Sequence, residues 1–320
     1  MAVSNFPNGF PNGVTIREQP IQVLYPGRVF WVNNTTVLAE RGLGGSDGNS
    51  GTYQKPFSTL AYALTQCVAN RGDIIVLMPG HAETVSSATA LGFSVAGVCI
   101  LGLGTGAKRP TFTFDTATTA TIAVSANNIT VKNVIFSANY ADIVAPFTLT
   151  TAADFVLEDV YVKATATNMN FLYIVDTDAT TDNAAGLTLK NVTWIEPDAA
   201  TVGAIKLDGS NSRVSIIGGY YNLGVNNNKS LITVATGKLA TSLLMEAIVM
   251  YRLNTDSATG ALLFHTDGST NTGIIRNCHV QHADTASELL LTASSGLGTF
   301  QNFASGVAGA SGYLLPAADS

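Results

Sequence analysis

Three short phrases in this chain of 320 residues hold the side chains that acid–base or cation chemistry uses. Asp176 and Asp178 stand in DTD, Asp208 in LDGSN, and His265 and Asp267 in HTDG. Each phrase follows a run that alternates apolar residues: LYIV from Leu172, AIKL from Ala204, ALLF from Ala261. If Ile174, Leu207, Val234 and Phe264 form one column of stacked strands, these acids, Lys238 and His265 meet near one corner. Carboxylates and an imidazole so placed can exchange protons with a substrate or hold a cation or sugar hydroxyls. The alternative is that the three phrases are turns, because Asp and Gly are residues that tight turns select. His81, His279 and His282 show no metal-ligand spacing, and Cys67, Cys99 and Cys278 lie far apart with no C-x-x-C pair. That pattern is neither a disulfide framework nor a zinc site, so buried thiols in a reducing compartment are expected, with no metal and no cofactor.

The elements that must position such residues are strands. Hydrophobic residues make up 46% of the chain and charged ones 12%, about half of the roughly 25% usual in soluble proteins. Thirty Gly, 38 Thr and 24 Asn complete a β-branched, turn-rich composition. Sixteen Lys+Arg against a net charge of −6 exclude a nucleic-acid binder that works by electrostatics. Apolar runs such as Ile74 to Met78 are too short to cross a bilayer, and the opening MAVSNFPNGF lacks an export signal, so assembly in a cytoplasm is expected.

A repeat organises most of the chain. It reads VCILGL from Val98, ITVKNV from Ile129, FVLEDV from Phe155, LTLKNV from Leu187, VSIIGG from Val214 and LLMEAI from Leu243. Weaker copies are GIIRNC from Gly273 and GTFQNF from Gly298. The fifth residues are Gly102, Asn133, Asp159, Asn191, Gly218, Ala247, Asn277 and Asn302, 25 to 32 residues apart. Asn, Asp and Gly tolerate the left-handed backbone that costs other residues about 1–2 kcal/mol. The column therefore predicts a one-residue corner between two strands, with side chains bonding from rung to rung and Ala247 as the exception. Val134, Val160, Val192, Ile248, Cys278 and Phe303 follow as core positions. The alternating runs supply another strand per repeat, and such a periodic stack is a β-solenoid.

Gly45 to Val85 resembles the opening of right-handed parallel β-helices of the pectin lyase-like superfamily. The residues that carry the likeness are Gly48 and Asn49, Pro56 to Thr59, Gly72 to Ile74, and Pro79 to Glu83. The resemblance implies an all-β, right-handed parallel β-helix of about eight coils over residues 45–305. A capping helix from Ser58 to Asn70 would seat Leu60, Ala63, Leu64 and Cys67 in the barrel end. Polygalacturonase-type members combine four motifs, and no Asp-Asp pair, Gly-His-Gly or Arg-Ile-Lys occurs here. Nor does a cluster of acids with a basic neighbour match the calcium site of pectate lyase-type members.

Residues 1–44 do not share the repeat. FPNGFPNGV doubles a Pro-Asn-Gly turn, and an extended arm anchored by Phe6, Phe10, Val14, Ile16 and Arg17 reads as a docking segment. Its opening resembles those of phage structural proteins. The expected role is a non-enzymatic virion protein, a capsid decoration or cement protein on the capsid surface, whose partner is the major capsid protein or another virion protein. The alternative is a tailspike that binds or cleaves polysaccharide. LLMEAIVMY, apolar on alternating faces, suggests a homo-oligomer interface at Leu244, Val249 and Tyr251 beside Tyr220, and the phage resemblance implies a trimer. Residues 306–320 are expected to add a last rung near Tyr313 and then fray.

Overall fold

Each repeat contributes three short strands, and successive repeats stack them in register. The computed structural model describes residues 15–16, 19–20, 27–196, 200–223, 230–252, 263–266, 270–282, 296–306 and 313–314. Sheet I has ten parallel strands, beginning with Val29–Val32 and Ile74–Leu77 and ending with Gly273–Arg276 and Gly298–Phe300. Sheet II has nine parallel strands from Ala82–Val85 through Phe303–Gly306 and is closed by a tenth, antiparallel one, Tyr313–Leu314. Sheet III has seven among the described residues, from Leu91–Phe93 to Phe264–His265, so about six turns are described there, slightly different from the eight coils expected. The architecture is the all-β parallel β-helix expected.

Alternation explains the lumen. Val131, Leu157, Leu189, Ile216, Met245 and Ile275 pair rung to rung along sheet I and are fully buried. Phe136, Val162, Trp194, Tyr221 and Met250 do the same along sheet II. Rings meet inside: Phe136 of sheet II and Phe147 of sheet III lie edge to face at 4.8 Å, and Phe147 and Phe155 lie tilted at 5.2 Å. Burying one such side chain contributes about 1.5–3 kcal/mol, more than a left-handed corner costs, so the lumen dictates the bends.

The corner column forms with two corrections. Asn133, Asp159, Asn191, Gly218 and Asn277 have φ between 50° and 64°, and Ala247 joins them at 55° despite its type. Gly102 is not left-handed; its Cβ position would lie 2.3 Å from Asn133 O, so close approach requires glycine there. At the last copy Gln301, with φ 51°, takes the corner in place of Asn302. Thr299 pairs with Ile275, which shifts the copy by one residue: Asn302 is buried while Phe303, expected in the core, is 45% exposed. The ladder is partly made by side chains, with Asn133 Nδ2 donating to Gly102 O at 2.8 Å and Asn191 Nδ2 to Asp159 Oδ1 at 3.4 Å.

The cap helix is α1, Leu60–Thr65, shorter than Ser58 to Asn70. The Thr59 side chain accepts from Tyr62 N, and Leu60, Ala63 and Leu64 plug the barrel end. Beyond it, Val68 N donates to Asp73 Oδ2 at 2.7 Å and Asn70 turns left-handed, which ends the helix. Val29–Val32 belongs to sheet I, paired in parallel with Ile74–Leu77. Tyr313–Leu314 runs antiparallel to the strand before it and so does not continue the coil.

Candidate functional site

Sheet III carries the acidic column. Its outward register is Thr148, Asp176, Lys206, Thr233 and His265 on successive rungs. Of the column expected from sequence, Leu207 and Val234 do pair, but Ile174 and Phe264 fall out of it: Val175 pairs with Ile205, two before Leu207, and Phe264 with Ile232, two before Val234. Asp208 therefore does not stack on Asp176, and Lys206, missed in the sequence, takes that place. Inward apolar residues set the register: Ile174 and Val175 are both buried, and two adjacent buried residues hide which one points into the lumen.

Lys206 Nζ lies 2.5 Å from Asp208 Oδ2 and 3.5 Å from Asp176 Oδ1, and 5.9 Å from the centre of the Tyr173 ring. Burial raises the Asp176 carboxyl above the usual carboxylate range, although the ammonium opposes it. Burial lowers the Lys206 ammonium, but the hydrogen bond to Asp208 and the two carboxylate charges outweigh it and hold it above the ordinary value. The ammonium thus pairs closely with Asp208 and offsets only part of the burial of Asp176. His265 is three rungs from Asp176, about 14 Å at the usual 4.7–4.9 Å per strand, too far for the roughly 5–9.5 Å of a carboxyl-type catalytic pair. Asp178 is held elsewhere: its Oδ1 accepts from Thr180 N at 2.8 Å and Asn183 Nδ2 at 2.7 Å, the role of a turn residue. Asp267 lies outside the described residues. No group of three or more His, Cys, Asp or Glu able to hold a metal is found among the described residues, and no described helix is long and apolar enough to cross a membrane.

The other chemistry-bearing groups are built into the fold. His81 is fully buried with Nε2 2.7 Å from Glu83 Oε1, which also accepts from Leu60 N at the start of α1. Burial pushes the Cys67 thiol up to about 12 and Cys278 up to about 11. Glu158 bridges Lys132 at 3.2 Å and Lys190 at 2.9 Å across three rungs of sheet I. Asn-Thr-Asp, the fourth polygalacturonase-type motif, does occur once, at Asn254 to Asp256, and lies outside the described residues.

The expected docking and interface residues divide. Phe6, Phe10, Val14 and Arg17 lie outside the described residues; Ile16 is in a two-residue strand, Thr15–Ile16, paired antiparallel with Gln19–Pro20. Val249, Tyr251 and Tyr220 face outward on sheet II, where the rings of Tyr220 and Tyr251 lie 5.3 Å apart. Leu244 faces outward on sheet I, around the corner from them, between Ser215 and Ile274. Exposed apolar side chains lie at both ends of the described stack: Val29, Val37, Tyr53 and Val68 at the first, and at the last Ile274 at 48%, Phe300 at 60%, and Phe303, which stacks on His279 at 5.4 Å.

No protein-family profile matches the chain, and no curated protein does. Among solved structures it is similar to a rhamnogalacturonan lyase (12% identity, TM-score 0.46, covering 86% of this chain and 87% of that one). It is also similar to ORF18 of Geobacillus virus E2 (14%, 0.39, 87% and 61%) and to a GH136 lacto-N-biosidase from Eubacterium ramulus (10%, 0.30, 87% and 68%). These likenesses are too distant to bear on activity or location. What the chain's own strands establish is a parallel β-helix.

Proposed function

We propose that this chain is a non-enzymatic structural protein of a bacteriophage virion. In this reading it is a capsid decoration protein whose N-terminal arm, the part of residues 1–44 before the sheet I strand Val29–Val32, docks on the major capsid protein and whose β-helix stands on the capsid surface. The observation that carries the non-enzymatic part is the sheet III column: Lys206 occupies the space between Asp176 and Asp208, and the imidazole is three rungs away. The repeated Phe-Pro-Asn-Gly of the first residues supports docking, because aromatic anchors on an extended arm suit a protein groove. Association of copies through the Tyr220 and Tyr251 face, as a trimer, belongs to the same proposal.

The test is co-sedimentation of purified protein with capsids that lack it. Saturable binding is expected, and deletion of residues 1–30 abolishes it; absence of binding by the full chain overturns the proposal. Release of sugar ends from a polysaccharide, lost in Asp208→Asn and His265→Ala, would establish the tailspike enzyme instead.

A further inference from the structure

Among the described residues, the C-terminal end of sheet I is an edge with a particular chemistry. Asn277 N donates to Phe300 O at 3.1 Å, so the backbone groups of Phe300 turn toward the preceding rung. Backbone groups alternate along a strand, and the N–H and C=O of Thr299 therefore point away from the protein's own stack. Sheet II is closed at the same end by the antiparallel strand Tyr313–Leu314, whereas among the described residues Gly298–Phe300 has no strand on its outer side. Natural edges are usually blunted by charge, proline or a bulge, and Gly-Thr-Phe has none of these.

We infer that two copies of this chain join end to end by antiparallel pairing of Gly298–Phe300 about a two-fold axis at Thr299. The register is self-complementary. Thr299 of each copy exchanges N–H···O=C bonds with Thr299 of the other, using the two groups that each strand directs outward. Phe300 of one copy then lies opposite Gly298 of the other, on the outer face of the joined sheet. Gly298 leaves that space open: a Cβ built on it would meet nothing nearer than Gly273 O at 3.7 Å. An aromatic ring across from an edge glycine covers the bare backbone, and here it also reaches the exposed Ile274 beside that glycine. A two-fold contact makes both exchanges at once and leaves no free edge to propagate a fibre.

The experiment is disulfide trapping of the full chain. In Thr299→Cys the two thiols face each other across a hydrogen-bonded pair with Cα atoms about 5.5 Å apart, within disulfide reach. Mild oxidation is expected to give a covalent dimer, at least about tenfold faster than in Tyr53→Cys, an exposed site at the other end. Thr299→Pro removes the outward N–H and touches no bond to the preceding rung, so it should leave the melting temperature unchanged and abolish the end-to-end pair in sedimentation. Equal trapping rates at 299 and 53, or a Thr299→Pro variant that sediments like the parent, would overturn the inference. Neither readout depends on capsid binding.

Discussion

Ala247 holds φ at 55°, a conformation that costs a residue with a Cβ about 1–2 kcal/mol. Its neighbours in the column relieve that cost by being Asn, Asp or Gly. Replacing Ala247 by Gly should raise stability by about 1 kcal/mol, seen as a higher urea midpoint with unchanged slope. Asn133→Ala should lower it by about 1–3 kcal/mol, because the side chain also bonds Gly102 O and Gly104 O at 2.8 and 3.1 Å. A midpoint that falls in Ala247→Gly would show that the corner is not strained. Residue type made this column readable wherever polarity and backbone preference agree. It misled at Gln301, where Asn302 is wanted in the interior: its Oδ1 accepts from Cys278 N at 3.0 Å and its Nδ2 donates to Ile275 O at 2.8 Å. Two adjacent residues that both suit a polar corner cannot be ranked without the pairing that Thr299 makes.

At the scale of elements, the cap is tied to the first coil by one carboxylate. Asp73, fully buried, accepts from Arg28 N and Val68 N at 2.7 Å and from Arg71 Nε and Nη2 at 2.7 Å. Burial raises its pKa, but these donors, Arg71 first, outweigh it and hold the carboxyl below the ordinary value. A folded-state pKa below the unfolded one contributes stability that is present above the unfolded value near 4 and is lost as pH falls through the folded one. Protection factors for hydrogen exchange in α1 and Ile74–Leu77, taken against the intrinsic rate at each pH, should therefore fall below about pH 4, and Asp73→Asn should show that lower protection already at pH 7. Unchanged protection in Asp73→Asn would remove the carboxylate from this role. The strands were legible because period-two alternation and the corner column agree. The helix was read too long because helical spacing continues through Cys67, while the capture of Val68 N by Asp73, a contact made five residues on, is invisible to periodicity. The acidic column is legible only at Leu207 and Val234, which do pair, and is lost at Ile174 and Phe264 for a similar reason. Ile174 and Val175 are both buried, and only the pairing with Ile205 decides that Asp176 meets Lys206.

At the scale of the whole molecule, a low charge content becomes a property of surfaces. Many charges that remain pair across rungs, as in Lys132, Glu158 and Lys190 or Glu246 and Arg276, and exposed pairs of this kind contribute about 0–1 kcal/mol each. They keep the lateral faces electrically quiet, while Ile274, Phe300 and Phe303 leave the far end apolar. Raising salt to about 1 M should accordingly shift the urea midpoint by less than 1 kcal/mol of stability, and a larger loss would give the ladders a weight that this arrangement does not. The solenoid could be read from a repeat, since stacking is local; its ends could not, because closing an edge depends on contacts that break the repeat. Whether the β-helix stands on a capsid by its first residues is measured by an image reconstruction of virions carrying this chain. A rod of stacked coils is expected on the capsid exterior with the segment before Val29 at its foot, absent from particles whose chain lacks residues 1–30. Intact particles without that density, or with it confined to the tail, would contradict it.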